Sequence, residues 1–222
     1  MSLEHTDLRS RRVEGAKRAE ILEAAAERFG RDGYEDTKWA DIAADVGVGP
    51  TALYHYFESK QHCLYVIMDL TIERFGARFA ALTADESADP VAALEAVIED
   101  SFDVAPADVH RNRVLVAEQG LLADRSTSPR EEQARRAARA RTRELELAWA
   151  AFLERAMRQG AIPPSDPQLL TRAVLGLYNS VWHWYRPDGI IALDRVAEFF
   201  TARALAVLGV APGTAADREA AA

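Results

Sequence analysis

Apolar residues recur along most of the chain at spacings of three and four, which is the period of an amphipathic α-helix. Alternating apolar and polar runs, the pattern of half-buried β-strands, are absent from the sequence. The first run of apolar residues at this spacing predicts a helix from about Lys17 to Arg31. The helix is expected to end near Gly33, because glycine readily adopts the left-handed conformation that closes a helix. The pattern therefore predicts an all-α fold.

Two very short helices are expected next. Thr37 is placed to cap a helix that runs to about Val46, and Pro50 begins another that ends near Phe57. Gly47 interrupts the apolar pattern between them. Two short helices joined by a glycine-containing turn form a helix-turn-helix, whose second helix has the size to enter the major groove of B-DNA.

The rest of the chain predicts longer helices separated by clusters of Pro, Gly, Ser and Asp. Ser59 is expected to cap a helix from about Lys60 to Leu82. The remaining helices are predicted at about residues 90–103, 107–122, 129–159, 166–185 and 192–208.

The second short helix has two distinct faces. Leu53 and Phe57 lie one turn apart and are expected to pack inward. The outward face then holds Pro50, Thr51, Tyr54 and His55. Hydroxyl and imidazole groups can hydrogen-bond base edges and phosphates, whereas an ordinary exposed helix presents mostly Glu, Lys and Ala. The face is therefore expected to read DNA.

A set of residues at fixed spacings runs through this region: Gly33-Tyr34, Thr37, Ile42-Ala43, Gly47-Val48, Leu53-Tyr54, Phe57 and Ser59-Lys60. Over about residues 17–65 they resemble the tetracycline-repressor (TetR) family of transcriptional regulators, and agreement at so many positions is far more specific than a lone motif. The resemblance implies an N-terminal three-helix DNA-binding domain and a larger C-terminal helical domain that binds a ligand and dimerises. The expected division is a flexible basic arm (1–16), a helix-turn-helix domain (17–62), a ligand-binding and dimerisation domain (63–210) and a disordered tail (211–222).

The resemblance also implies roles for individual residues. Contacts to phosphates are expected from Thr37, Lys38, Tyr54 and Lys60, and contacts to bases from Pro50, Thr51, His55 and Tyr56.

The net charge of −8 disfavours attraction of nucleic acid over the whole surface. Residues 1–18, however, carry five Lys or Arg against three Asp or Glu. Arginines on a flexible arm bind most strongly in a narrow minor groove, so Arg9, Arg11 and Arg12 are expected to contact DNA. A solvated terminus without function is the alternative.

The last predicted helix carries apolar residues over an arc wider than the stripe of about 100° that one buried side requires. With the preceding helix it can form a four-helix bundle across a two-fold axis, although a fully buried core helix is the alternative. The expected dimer interface consists of Leu170, Val174, Leu177, Val181, Val196, Phe200 and Val207.

Aromatic and polar residues cluster at 178–185 and predict an effector pocket, since pockets combine apolar walls with a few polar groups. Ordinary core packing is the alternative. The candidate ligand-binding residues are Phe102, His110, Arg113, Glu118, Trp149, Phe152, Tyr178, Asn179, Trp182 and His183. The resemblance is slightly closer to actinobacterial-type members that respond to acyl or CoA-linked lipids, which implies an acyl or acyl-CoA-like effector.

The five histidines form no His-x-x-x-His or Glu-x-x-His pair, and neither Gly-x-Ser-x-Gly nor a phosphate-binding glycine-rich loop occurs. We therefore expect no catalytic residues, no metal site and no cofactor. No apolar stretch approaches the roughly 20 residues of a membrane span, which favours a cytoplasmic protein. The expected function is a repressor that binds a palindromic DNA operator as a homodimer and is released by a small effector. The alternative is a helical lipid-binding or adaptor protein with a vestigial helix-turn-helix.

Overall fold

The computed structural model describes residues 2–210, with side chains from Val13 onward. Within that range the chain is helical and contains no strand, as the all-α prediction requires. The helices are α1 (Ser2–Asp32), α2 (Trp39–Asp45), α3 (Pro50–Tyr56), α4 (Lys60–Leu82), α5 (Pro90–Phe102), α6 (Pro106–Glu118), a 3₁₀ turn (Gln119–Leu122), α7 (Pro129–Arg158), α8 (Pro167–Trp184) and α9 (Leu193–Val207).

Capping side chains set the helix starts, with one correction. The Ser59 hydroxyl accepts a hydrogen bond from the His62 N–H at 2.9 Å, which confirms the predicted start of α4. The N-cap of α2 is Lys38, however, and the predicted Thr37 cap is wrong. The Thr37 hydroxyl instead donates to the Gly33 carbonyl at 2.7 Å and is therefore not available to the first turn of α2.

Helix α1 is longer than the sequence pattern predicted. It begins at Ser2 rather than near Lys17, so the segment 2–16, predicted as a flexible arm, is helical. This segment has no proline and is rich in Leu, Glu and Arg, which favour a helix and allow α1 to continue toward the N terminus. The predicted disordered tail, 211–222, lies outside the described residues.

The chain divides into two compact units, which differ from the predicted domains. Unit 1 comprises the chain up to Thr71 together with residues 106–140. Unit 2 comprises residues 72–105 and the chain from Arg141 onward. Helix α6 and the first part of α7 therefore belong with the helix-turn-helix, and the predicted boundary after residue 62 does not separate the two units.

Close packing of α6 on α1 explains this grouping. Gly30 lies so near α6 that a Cβ placed on it would be 2.7 Å from the Cα and carbonyl oxygen of His110. The Arg113 guanidinium also donates to the Gly30 carbonyl at 2.8 Å. Arg111 pairs with Glu23 of α1 and is itself buried. These contacts attach α6 to the first helix.

Candidate nucleic-acid interface and effector site

The helix-turn-helix of unit 1 has the geometry that the sequence predicted. Gly47 adopts a φ of +66° in the turn, a conformation that glycine reaches without steric cost. The Val48 N–H closes the turn by donating to the Ala43 carbonyl at 2.9 Å. Leu53 and Phe57 are completely buried, which confirms the inward face of α3.

The opposite face of α3 is open. Tyr54 exposes 54% of its surface, although a tyrosine usually buries most of its ring. The exposed members of the face are Pro50, Thr51, Tyr54 and His55, while Tyr56 is half-buried. Lys38 is exposed at the start of α2. The structure thus leaves three of the four predicted base-contacting residues, Pro50, Thr51 and His55, exposed on this face, whereas Tyr56 is only partly accessible.

Two predicted phosphate-binding residues are engaged inside unit 1. The Lys60 ammonium donates to the carbonyl of Tyr34 at 2.7 Å and to that of Thr37 at 3.0 Å, and it lies 4.2 Å from the centre of the Tyr34 ring. Thr37 is buried, with its hydroxyl bound to Gly33. Both side chains hold the loop that leads into α2. Sequence reasoning missed this inward role of Lys60.

Two basic residues of α1 contact the helix-turn-helix from the side of α1. The Lys17 ammonium donates to the Val46 carbonyl, at the end of α2, at 3.2 Å. The Arg18 guanidinium lies 5.0 Å from the centre of the Phe57 ring. The predicted contacts of Arg9, Arg11 and Arg12 concern side chains outside those the structure describes.

An ion pair also joins α1 to α2. The Arg28 guanidinium binds the Asp45 carboxylate, with Nη2 at 2.8 Å from Oδ1. Hydrogen bonding to Arg28 lowers the pKa of Asp45 below its ordinary value, so this carboxylate remains charged at neutral pH.

A polar cluster, absent from the sequence-based predictions, surrounds the start of α4. Ser59 donates to the buried carboxylate of Glu131, which also accepts from Ser126 at 2.5 Å. The Glu58 N–H donates to Nδ1 of His62 at 3.2 Å. Burial lowers the pKa of His62, so its imidazole is neutral at pH 7. No local sequence pattern indicates a contact between residues 59 and 131.

The interior of unit 2 is built from aromatic rings. The ring of Tyr178 lies 5.4 Å from those of Phe75 and Phe102, and the Phe102 ring lies 6.3 Å from Trp182. Trp149 and Trp182 are each only 1% exposed. The cavity among these rings measures about 10 Å³, space for roughly one water molecule.

The predicted effector residues fall into both units. His110, Arg113 and Glu118 belong to unit 1. Burial there raises the pKa of Glu118 above its ordinary value. Unit 2 holds Phe102, Trp149, Phe152, Tyr178 and Trp182 as buried or half-buried side chains, together with half-buried Asn179 and exposed His183.

A larger groove of about 730 Å³ also lies within unit 2. Its walls come from the second half of α4 and from α7, where Gly76, Ala77 and Ala148 leave space between the helices. This volume is in the range of small-molecule sites. Sequence reasoning named only Phe152 of its lining.

The residues predicted for a dimer interface differ in accessibility. Val174, Val181 and Val196 are buried within the single chain, and Leu170, Leu177 and Phe200 are half-buried. Val207 is 44% exposed. Three other large apolar side chains of α8 and α9 are more open: Leu169, Trp184 and Phe199 expose 61%, 46% and 53%.

Two further features of the described residues bear on partners. No helix in this part of the chain is long and apolar enough to cross a membrane. Likewise, no group of three or more His, Cys, Asp or Glu side chains in residues 13–210 has a spacing that would hold a metal ion.

Two known transcriptional repressors align with most of this chain. Among known proteins, the HTH-type transcriptional repressor KstR2 of Mycobacterium tuberculosis is 26% identical over 191 residues, which cover 84% of this chain and 90% of that protein. KstR2 of Rhodococcus jostii is 27% identical over 195 residues, with 82% and 86% covered.

Solved structures show the same fold. The TetR family transcriptional regulator PfmR from Thermus thermophilus superposes with a TM-score of 0.68 at 31% identity, covering 85% of this chain and 97% of that one. AibR, crystallised with isovaleryl coenzyme A and operator DNA, has a TM-score of 0.70 at 24% identity, covering 84% and 97%, and shares the fold.

Two family models cover most of the chain. Residues 21–65 match the model of bacterial regulatory proteins of the tetR family. Residues 87–208 match that of the tetracyclin repressor-like C-terminal domain. The chain therefore belongs to the TetR family of DNA-binding transcriptional regulators.

Proposed function

We propose that this protein is a cytoplasmic repressor that binds a palindromic operator as a homodimer and is released by a small, largely apolar effector. The observation that carries the proposal is the open face of α3, where Thr51, Tyr54 and His55 project from a helix whose other side is completely buried. The similarity to the repressor KstR2 over 84% of the chain supports the direction of regulation.

The proposed dimer uses the open side of α8 and α9. Leu169, Trp184 and Phe199 expose large apolar surfaces there, and burying such surface contributes about 25 cal/mol per Å². The buried valines Val174 and Val196 instead support these helices from inside the protomer. The interface is therefore centred on Leu169 and Phe199, with Val207 at its edge. A two-fold axis through this surface gives the symmetry that a palindromic operator requires.

Release by the effector follows from the spacing of the two α3 helices. They must lie about 34–36 Å apart, or a multiple of this, to enter major grooves on one face of DNA. An effector that binds better to a conformation with another spacing weakens DNA binding, and each tenfold change requires a difference of about 1.4 kcal/mol.

The proposed effector is an acyl or acyl-CoA-like molecule that enters unit 2. The described residues that line the interior cavity are aromatic, aliphatic or hydroxyl-bearing, and none carries a charge. Such a lining favours an apolar body with few polar atoms. Because the cavity measures only about 10 Å³, binding requires the rings to rearrange.

Fluorescence anisotropy with the intergenic DNA beside the protein's own gene tests the proposal. Wild-type protein is expected to bind specifically, with an affinity that falls steeply as salt rises. Tyr54→Ala is expected to weaken specific binding about tenfold, equivalent to about 1.4 kcal/mol. Ile190→Ala, which truncates a fully exposed side chain outside α3, is the matched control. A folded, dimeric protein that binds no specific DNA at low salt would favour the lipid-binding or adaptor alternative.

A further inference from the structure

The groove between α4 and α7 of unit 2 combines an apolar wall with charged side chains, which include three glutamates (Glu73, Glu86 and Glu144). Its apolar wall includes Phe79, Leu145 and Phe152. Three arginines also line it: Arg141, Arg155 and Arg158. An amphipathic ligand could place an apolar segment on the wall and an anionic group among the guanidinium groups.

Two of these arginines are paired with carboxylates of the groove that an anion can replace. Arg141 lies 3.4 Å from Glu73, and Arg155 lies 3.3 Å from Glu86. The Glu86 side chain is 81% exposed, and exposed ion pairs contribute little to stability. Phosphate oxygens accept hydrogen bonds from guanidinium in the same two-pronged geometry as carboxylates. The glutamates therefore position the arginines in the absence of ligand, and a phosphate group can still replace the carboxylates.

Arg155 is further fixed at the wall of the groove. Its Nη2 lies 3.3 Å from the Thr83 carbonyl, and its guanidinium carbon lies 5.1 Å from the centre of the Phe152 ring. A planar cation that is already oriented loses less conformational entropy when it binds an anion.

One pair of rings connects the groove with the interior cavity. Phe79 lines the groove, and Trp149 lines the cavity. The two rings are in contact, with their centres 4.9 Å apart. Rotation of Phe79 would therefore open a path from the groove into the aromatic interior.

The interior offers polar hydrogen atoms without acceptors. Among the described side chains, the indole nitrogens of Trp149 and Trp182 are buried without a hydrogen-bond partner, and so is the Thr201 hydroxyl. Buried tryptophan N–H groups usually find an acceptor. A carbonyl oxygen carried by an otherwise apolar ligand would supply one.

We propose that groove and interior form one bipartite site for an acyl thioester with a phosphate-bearing head, and that Phe79 and Trp149 are its gate. The acyl chain and thioester carbonyl occupy the interior beside the Trp149 indole, which lines the cavity. The phosphates lie in the groove with Arg141 and Arg155. This inference rests on the proposed function, because it names the effector of that regulator.

Isothermal titration of the full-length protein compares three probes: octanoyl-CoA, coenzyme A alone, and S-octanoyl-N-acetylcysteamine, which keeps the acyl thioester but has no phosphate. The double variant Arg141→Gln/Arg155→Gln is expected to bind octanoyl-CoA at least tenfold more weakly and the cysteamine thioester unchanged. Trp149→Phe, which removes the unpartnered N–H of a ring that lines the cavity, is expected to weaken both thioesters. Arg195→Gln, an exposed arginine of α9, is the matched control.

Several outcomes would overturn the inference. If the wild-type protein binds octanoyl-CoA and its cysteamine analogue with equal affinity, the groove does not bind the phosphates. If it binds octanoyl-CoA and coenzyme A with equal affinity, the interior does not bind the acyl chain. Operator DNA is titrated with the same preparations, so absence of thioester binding with intact DNA binding refutes only the bipartite site. Loss of specific DNA binding in the wild type refutes the proposed function itself.

Discussion

The two units of the protein differ in how their most deeply buried polar groups are satisfied. In unit 1 the Lys60 ammonium is surrounded by loop carbonyls, and the buried Glu131 carboxylate lies between two serine hydroxyls. Exceptions such as Trp39 Nε1 occur there as well. In unit 2 the interior consists of aromatic rings in tilted or edge-to-face contact, and the indole N–H groups of Trp149 and Trp182 lack acceptors. Charged hydrogen bonds therefore fix the loop before α2 in unit 1, whereas unit 2 keeps buried N–H donors available for an acceptor.

The energies of these contacts support that distinction. A hydrogen bond to a charged group contributes about 1.5–3 kcal/mol and depends on geometry. A ring pair contributes about 0.5–1.5 kcal/mol beyond its buried area and tolerates both stacked and edge-on arrangements. Ring pairs therefore tolerate a change of mutual orientation better than the charged hydrogen bonds that hold the loop before α2.

The largest expected effect comes from Gly30→Ala in unit 1. The added Cβ would lie 2.7 Å from backbone atoms of His110, so α6 must move away from α1. Overpacking of this kind costs about 1–3 kcal/mol, and the backbone contact places the variant at the upper end. Urea unfolding monitored by circular dichroism measures the change.

Gly15→Ala provides the matched control for that substitution. Gly15 also lies in α1, and nothing lies within 4 Å of the position of its missing Cβ. Alanine there is expected to stabilise the helix by about 0.5–1 kcal/mol. Equal unfolding midpoints for the two variants would show that α6 does not constrain α1.

A smaller effect is expected from Lys60→Ala. The substitution removes a charged donor from the carbonyls of Tyr34 and Thr37, so the free energy of unfolding should fall by about 2 kcal/mol. DNA affinity should fall with it at every salt concentration, because the loop before α2 loses its anchor. Lys38→Ala is the control: its exposed side chain should leave stability unchanged and reduce the salt slope of DNA binding by about 0.9. If Lys60→Ala keeps normal stability but reduces the salt slope of DNA binding, Lys60 contacts a DNA phosphate as the sequence predicted.

The sequence predicted what local patterns determine. Ser59 and Pro50 set helix starts by their own chemistry, and the spacing of Leu53 and Phe57 defines the inner face of α3. Contacts between distant segments left no such pattern. The pairing of Ser59 with Glu131 spans 72 residues, and the approach of α6 to Gly30 depends on tertiary packing.

The interface and the effector site show the same limit. Hydrophobic periodicity predicted that two sides of α9 are apolar, and it could not say which residues of α8 and α9 the chain itself covers. The predicted interface therefore included both Val174 and Val207, although Val174 is buried and Val207 is 44% exposed. The aromatic cluster was visible in the sequence. The groove was not, because small residues such as Gly76 and Ala148 form it by leaving space.

Two threonines test the contrast between the units directly. Thr37→Val in unit 1 removes a hydroxyl that donates to the Gly33 carbonyl, and it should lower the free energy of unfolding by about 1 kcal/mol. Thr201→Val in unit 2 removes a buried hydroxyl without a partner, and it should raise that free energy by about 1 kcal/mol. Valine has nearly the same shape in both cases. Chemical unfolding of the two variants should give changes of opposite sign, and changes of the same sign would refute the contrast.

The smallest expected effect is a pH dependence carried by His62 in unit 1. Burial lowers its pKa below the ordinary 6.5, with Arg18 and Arg130 acting in the same direction and Glu58 and Glu131 opposing them. The unfolded chain therefore binds a proton at a higher pH than the folded protein does. The stabilisation from neutral His62 is complete above pH 6.5 and decreases as the pH falls below that value.

His62→Asn isolates this contribution. Asparagine does not titrate, and its side-chain oxygen can accept the Glu58 N–H that Nδ1 of His62 accepts now. Urea unfolding at pH 7.5 and 5.5 should show a larger loss of stability in the wild type than in His62→Asn, because the carboxylates titrate equally in both. His55→Asn, at an exposed position of α3, should keep the wild-type pH dependence. If the wild type and His62→Asn lose the same stability on acidification, the neutral imidazole is not what holds the start of α4.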